Sequence, residues 1–555
     1  MDAATLPAAT DVLIVGGGPV GLAVAIELGL RGISAVLIEQ RARAGAQPRA
    51  KTTNVRSMQH MRRWGIAGAL RDSAPLPPDY PTDVVFATGL FGHTLAVIPN
   101  VFEGAKRRDP RFPKPAQWVP QYTVEEVMRE RVSRLPSITV AFGVALQDAT
   151  QSDDAVTATV ADAEGGAART IRARYVVGAD GARSTVRGLM GVQMEGQHAF
   201  ALNYNLIVRI PELAQTPPAP RSIMYWLVNT RSPAVMGPMD RDGVWFYGIQ
   251  LPPGVKDVPD DEMIRRVRDA VGRPVEVEII TRDIWAAHRL IANRYREQRI
   301  ILAGDACHLH PPFGGYGMNL GIADGVDLGW KLAAVLRGWG GDGLLDAYEA
   351  ERRPVHLRTI AEAVENYRVL SADLIKDCLE DATPEGDAAR QAVGAEIVRT
   401  KTREFATLGV VLGSRYDASP LVVDDGSAPP AEHYSNYQPS AHPGCLAPHA
   451  WLDERTSLYD RLGPDYTLLV LADGADPAIE AIRAAADAAG MPLAVLDVRG
   501  AGLEGLYGAA LALVRPDHHV AWRGEAAADA AGLVDRVRGA AKAAPARQVL
   551  NEMAS

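Results

Sequence analysis

The stretch DVLIVGGGPVGLAVAIELGLRGISAVLIE, residues 11–39, decides the fold. It reads as strand, tight turn, helix and second strand. Val12, Leu13, Ile14 and Val15 form the short apolar run that a buried parallel strand needs. The glycines follow at once. Gly16 permits the sharp turn, Gly18 lets the backbone approach a pyrophosphate, and Gly21 lets the next helix pack closely on the strand. That helix aims its unpaired N–H groups and positive dipole end at the phosphate. The second strand, Ala35 to Ile38, ends in Glu39, ~20 residues beyond the glycines, where a carboxylate can accept ribose hydroxyls. A 2′-phosphate would be repelled there, so this half predicts FAD or NAD rather than NADP.

Two further signatures extend the reading. Gly178-Ala179-Asp180-Gly181 follows the apolar Tyr175-Val176-Val177, and Gly304-Asp305-Ala306 follows Ile300-Ile301-Leu302-Ala303. The three in this order point to an FAD enzyme that also uses a nicotinamide. Composition sets the bounds. A chain of 555 residues exceeds one core and suggests about three domains. Its 47% hydrophobic and 23% charged residues are those of a globular protein, and a net charge of −9 argues against a nucleic-acid groove. No apolar run reaches the ~18 residues of a membrane span, and residues 1–10 show no leader pattern. Cys307, Cys378 and Cys445 form no C-x-x-C pair, so a reducing cytoplasm and no metal are expected.

The expected architecture is α/β: a Rossmann-type FAD-binding domain, an inserted antiparallel β-sheet domain for substrate, and a C-terminal domain. The FAD-binding domain takes residues 1–190 and 286–410. Strand-like segments separated by Pro and Gly turns place the substrate domain at 191–285, with loop contributions from the proline-rich 75–120. Residues 121–135, 322–336 and 343–408 read as helical. The β-α-β-β-β-α order over 440–555 looks thioredoxin-like but lacks the redox cysteine pair.

On these residues the chain resembles the class A flavoprotein monooxygenases, the aromatic-ring hydroxylases of the para-hydroxybenzoate and phenol hydroxylase type. The resemblance runs through GGGPVG at 16–21, PRAKTTNVRSMQHMRRWGI at 48–66, YVVGADGARSTVR at 175–187 and RIILAGDACHLHPPFGGYGMNLGIADGVDLGWKLAAVL at 299–336. APHAWL at 447–452 and LVRPDHHVAWRG at 513–524 resemble the tail of the phenol hydroxylase branch. The resemblance implies that Gly16, Gly18, Gly21 and Glu39 hold the adenosine diphosphate half of FAD. It implies that Arg49 lies near the flavin, that Gln121 and Asp305 meet the ribityl chain, and that Gly317, Met318 and Asn319 line the pyrimidine edge. Asp180 is placed near FAD and the passing NADH or NADPH, and it can also cap the helix starting at Ser184. Two departures stand out: Tyr316 where relatives often carry Gln, and Gly325, which would alter packing only.

The implied reaction is hydroxylation of a phenolic or otherwise activated ring through a flavin hydroperoxide, using dioxygen and NAD(P)H. Baeyer–Villiger oxygenation or epoxidation is the alternative on the same scaffold. A flavin halogenase would want a W-x-W-x-I-P stretch, which the sequence lacks. Tyr225, Trp245, Tyr247, Met236 and Pro312 are the expected substrate contacts. His288, His310, Tyr225 and Tyr247 are candidate proton acceptors. Strand alternation puts Trp245 and Tyr247 on one face and Phe246 on the other. The aromatics, with Met224, Met236 and Met239, favour a bulky or bicyclic phenol over a small charged benzoate. The resemblance also allows a homodimer.

Overall fold

The computed structural model describes residues 2–42, 50–252, 254–255, 257–368 and 374–541. The expected site residue Arg49 lies outside them. The chain divides into two compact units. The first comprises residues 1–326, 356–413 and 432–438, and the second comprises 327–355, 414–431 and 439–555.

In the first unit, Ala9–Val15 runs parallel to Ala35–Glu39 on one side and to Arg169–Gly178 on the other. Ile300–Leu302 extends the sheet parallel to Arg169–Gly178, and Ile138–Phe142 extends it at the opposite side. The register explains how distant signatures converge. Val15 lies opposite Gly178, and Gly178 lies opposite Leu302. Parallel strands ending level deliver their following turns to one edge, where open α/β sheets bind ligands. Strands Val144–Gln151 and Val156–Asp162 form an antiparallel excursion onto Arg169–Gly178.

A second sheet of the same unit is assembled mainly from strands that lie between Gly178 and Ile300 in sequence. Its order is His308–Leu309, Glu278–Ala292, Met194–Arg209, Val244–Gln250, Ala234–Pro238, Met224–Leu227, Val84–Ala87, Thr94–Ile98. The last two correct the expectation that 75–120 contributes only loop. Val84–Ala87 pairs in parallel with Met224–Leu227, and its four buried residues form too short a run to read among the flanking prolines. The helix Asp260–Val271 covers one face. Its Met263, Val267 and Val271 pack with Tyr204, Leu206, Tyr225, Met236, Trp245 and Tyr247.

The helical region divides into Gly317–Leu336, Gly343–Arg368, Pro384–Phe405 and Leu408–Leu412. Gly317–Leu336 begins five residues before the expected start at 322, because Gly317 onward already follows helical geometry after the turn at 312–316. In the second unit a four-stranded sheet pairs Tyr466–Val470 in parallel with Leu493–Asp497 and antiparallel with Leu511–Val514, which continues to Val520–Gly524. Helices Asp476–Ala488 and Ala530–Val537 bury Ile482 and Val534 in its core. No helix among the described residues is long and apolar enough to cross a membrane.

Candidate active site

The first glycine turn is determined by backbone approach. Gly16 has φ +113°, and a Cβ there would lie 2.2 Å from the Ala179 carbonyl oxygen. A Cβ on Gly21 would lie 1.9 Å from the Gly16 oxygen. These positions therefore lock the first signature onto the second. The Ala179 N–H donates to Val15 O at 2.8 Å, and the Ala303 N–H donates to Gly178 O at 2.9 Å, which brings in the third. Gly18 is different: a Cβ there would meet nothing within 4 Å. It sits at the N-cap of Pro19–Leu30, ahead of N–H groups that have no acceptor inside the helix. Open space in front of a helix N-terminus suits a diphosphate. Glu39 stands beside it, with Oε2 accepting from the Gly17 N–H at 2.8 Å and Oε1 from the Arg41 N–H at 2.9 Å.

Asp180 is committed locally. It accepts from the Ser184 hydroxyl at 2.5 Å and from the Val186 N–H at 3.1 Å, while Ser184 caps Thr185–Leu189. Burial holds its carboxyl above the ordinary carboxylate range despite these donors. Asp305 is half-buried in the short turn Gly304–Ala306. Behind that turn lies a polar network that motif reading missed. Buried Asp324 accepts from the Gly304 N–H at 3.1 Å and pairs with His308 Nε2 at 2.9 Å and His356 Nε2 at 2.8 Å. His356 Nδ1 in turn lies 2.8 Å from the Tyr295 hydroxyl. Its only sequence signal is two histidines and an acid in apolar surroundings, with no spacing that pairs them.

The loop 310–319 forms the next wall. Asn319 Oδ1 accepts from the Asn54 N–H at 2.9 Å, and its Nδ2 donates to Thr52 O at 2.9 Å and Gly315 O at 2.8 Å. Gly317, Met318 and Asn319 form the first turn of their helix, which points N–H groups outward from its start. Tyr316 turns inward and packs against Ala363 and Val410, so it does not replace a glutamine at the loop surface. Gly325 does act in packing, since a Cβ there would lie 2.8 Å from Ala23 Cβ. Pro312 is exposed. His310 Nδ1 lies 2.8 Å from Pro311 O, an acceptor only, which assigns the proton to Nδ1 and leaves Nε2 as a buried acceptor. Burial pulls this imidazole down to about 4, so it is neutral near pH 7 and a weak base. Gln121 opens Gln121–Ser133, with its N–H on Ala50 O at 2.9 Å and its Nε2 on Glu125 at 2.9 Å.

The second sheet supplies the remaining wall, on the face opposite Asp260–Val271. The expected contacts Tyr225, Trp245, Tyr247 and Met236 are not on it. All four are buried in the helix-covered core. Tyr225 donates to Pro220 O at 2.9 Å, and Tyr247 lies 3.0 Å from the Ser232 hydroxyl. Burial raises both phenols, Tyr247 to about 12. His288 is engaged locally: its Nδ1 accepts the Ala199 N–H at 3.2 Å, beside His198. Alternation instead presents the neighbours of these residues. Phe246, Ile207 and Met239 cluster with Trp118, Met224 and Val235. Trp226 stacks on Phe86 at 6.0 Å and approaches Phe313 at 6.4 Å, and Phe313 meets Tyr367 at 5.4 Å. Gln250 Nε2 donates to the Tyr367 hydroxyl at 2.9 Å. Lys51 places its ammonium 4.4 Å from the Phe246 ring centre.

These residues fit FAD: a glycine turn with room for a diphosphate, an acid that could accept ribose hydroxyls, and a helix start whose free N–H groups would suit an anionic ring edge. An aromatic sheet face in the same unit suits an arene. Such a site defines a flavin-dependent oxidoreductase. Comparisons agree. The FAD binding domain family matches residues 9–363, and the aromatic-ring hydroxylase C-terminal family matches 440–543. The FAD-dependent monooxygenase apdD of Emericella nidulans is 31% identical, covering 93% of this chain and 87% of that one. The crystal structure of RebC with bound 7-carboxy-K252c superposes with a TM-score of 0.88 at 36% identity, covering 97% of this chain and 100% of that one. The ternary complex of aklavinone-11 hydroxylase with FAD and aklavinone gives 0.82 at 30% identity, covering 95% and 98%. The chain belongs to the family of FAD-dependent aromatic-ring hydroxylases. It is an FAD monooxygenase that hydroxylates an aromatic substrate with NAD(P)H and dioxygen.

Proposed function

We propose that the substrate is a bulky, fused-ring phenol bound flat against the sheet face that carries Phe246 and Trp226. The observation that carries this reading is the run of rings Trp226, Phe313 and Tyr367, backed by Phe86, which offers an extended apolar wall beside the loop 310–319. The aklavinone held with FAD by a relative of similar fold is consistent with an arene substrate. FAD supplies the electron transfer and the activation of dioxygen. The protein's share is placement and shielding. The N–H groups of Gly317, Met318 and Asn319 would stabilise negative charge on the bound flavin, and Asp305 would accept hydrogen bonds from its ribityl hydroxyls. Gly16, Gly18, Gly21 and Glu39 would hold the adenosine diphosphate. His310 Nε2 accepts a hydrogen bond rather than a full proton, given its low basicity.

We further infer three domains, with the last thioredoxin-like in strand order and structural in role, and a cytoplasmic location that suits a sequence with three cysteines and no C-x-x-C pair. The test is a panel of one-ring, two-ring and four-ring phenols scored for coupled NAD(P)H consumption and product formed with labelled dioxygen. Multi-ring phenols should give labelled hydroxylated product with little uncoupling. Tight coupling confined to single-ring phenols would reject the bulky-substrate reading, and an ester product would reject hydroxylation.

A further inference from the structure

The sheet face described above is mainly apolar, and two ammonium groups lie over its rings, those of Lys51 and Lys401. Lys51 is half-buried, with its backbone tied to the flavin-side loop and its ammonium on the substrate-side sheet. Its carbonyl accepts the Val119 N–H at 2.7 Å, and the next residue, Thr52, is bonded through its carbonyl to Asn319. The side chain then crosses to Phe246, whose ring centre is 4.4 Å from Nζ. Lys51 therefore lies at the junction of the two walls, where a ring stacked between them would present its edge.

Among the described residues this ammonium has no carboxylate partner and donates no hydrogen bond. Burial alone pulls it down to about 8, with no neighbouring charge contributing. Lys401 is a useful contrast. It too lies over an aromatic ring, that of Trp226 at 4.9 Å, but Glu404 stands 3.3 Å from its Nζ. An ammonium has three donors to satisfy, and an aromatic face satisfies none of them as a hydrogen bond. A lysine held this way keeps its three donors available to an anion.

We propose that Lys51 receives an anionic oxygen of the aromatic substrate, so that the enzyme takes rings bearing a carboxylate or an ionised phenol. The inference rests on the bulky-arene reading and adds charge to it. An anion at this edge forms a charge-assisted hydrogen bond in surroundings of low dielectric, and it turns the ring so that one edge is fixed relative to the flavin loop.

The test uses FAD-loaded full-length enzyme and two probes, with binding read from the perturbed flavin absorbance. The first arm compares 3-hydroxy-2-naphthoate with its methyl ester. The second follows the ionisation of bound 7-hydroxycoumarin, a bicyclic phenol. Lys51→Met and Lys51→Arg are made in parallel, with FAD content and melting temperature as folding controls. In the carboxylate arm, wild type should bind the acid about 10-fold to 100-fold more tightly than the ester, Lys51→Met should abolish that preference while leaving ester affinity unchanged, and Lys51→Arg should restore it. In the phenol arm, wild type should favour the bound anion and Lys51→Met the neutral form. A lysine-dependent effect in either arm supports the proposal and identifies the source of the anion. Equal binding of acid and ester with unshifted coumarin, or effects that survive Lys51→Met, would overturn it while leaving the arene site intact. Failure of every probe to perturb the flavin would overturn the arene-site reading together with the proposal.

Discussion

Asn319 grips Asn54: its Oδ1 accepts the Asn54 N–H at 2.9 Å across a sequence separation of 265 residues. Asn54 in turn accepts from the Ser57 N–H at 2.9 Å and so caps Val55–Arg63. One amide thus joins the start of the helix Gly317–Leu336 to the segment that carries Lys51. Asn319→Ala leaves the Asn54 N–H buried without its acceptor, a loss of about 1–3 kcal/mol. FAD affinity should fall about 10-fold or more, measured by flavin fluorescence on titration. Unchanged affinity would show that the junction does not shape the cofactor site.

Gly18 and Gly21 should respond oppositely to alanine. At Gly21 the new methyl meets the Gly16 oxygen at 1.9 Å, so the fold should lose about 3 kcal/mol or more and little soluble protein should form. At Gly18 it meets nothing of the protein. Gly18→Ala should melt like wild type without FAD, yet bind FAD about 10-fold more weakly, equivalent to ~1.4 kcal/mol. Full FAD affinity in Gly18→Ala would remove the diphosphate from this turn.

Two tryptophans on opposite faces of the second sheet separate stability from recognition. Trp245→Ala opens a cavity under Asp260–Val271 and should cost about 3–5 kcal/mol in urea unfolding. Trp226→Ala should change stability less and weaken binding of a multi-ring phenol about 10-fold. The reverse pattern would place the substrate on the other face.

Glu27 provides a stability switch at low pH. It is fully buried. Burial would raise its carboxyl, but the cations of Arg63 and Arg31 and a hydrogen bond from Trp64 Nε1 at 2.6 Å hold it below the ordinary carboxylate range. A carboxyl lowered by folding contributes stability that is present above its unfolded pKa and lost as pH falls through the folded one. Glu27→Gln should therefore lower stability at pH 7, by about 3–5 kcal/mol for a broken buried pair, and flatten the loss seen in wild type as pH drops below the carboxylate range. Thermal melts across pH check this. Parallel curves for the two proteins would count against it.

The cofactor half of the site was legible because its chemistry is local. A strand, a glycine turn and a helix occupy consecutive residues, and Gly16 to Gly21 state their own backbone demands. The substrate half was less so. Alternation groups Trp245 with Tyr247 and separates both from Phe246, but it does not say which group is covered by Asp260–Val271. Lys51 has no sequence signal of its own, because an ammonium set over the Phe246 ring, without a carboxylate beside it among the described residues, is a property of space rather than of spacing.

By itself the chain determined its three glycine turns, the α/β class, the antiparallel segments between residues 200 and 285, and the strands of the tail. Short-range steric and hydrogen-bonding rules suffice for those. Tertiary structure alone decided which sheet face the helix Asp260–Val271 covers and which distant groups share a proton or a charge. Asp324 meets His356 32 residues away, and Arg515 reaches Glu351 at 2.6 Å across 164. No local rule pairs such residues; burial makes the pairing compulsory, because an unpaired charge in the interior costs more than any local preference can supply.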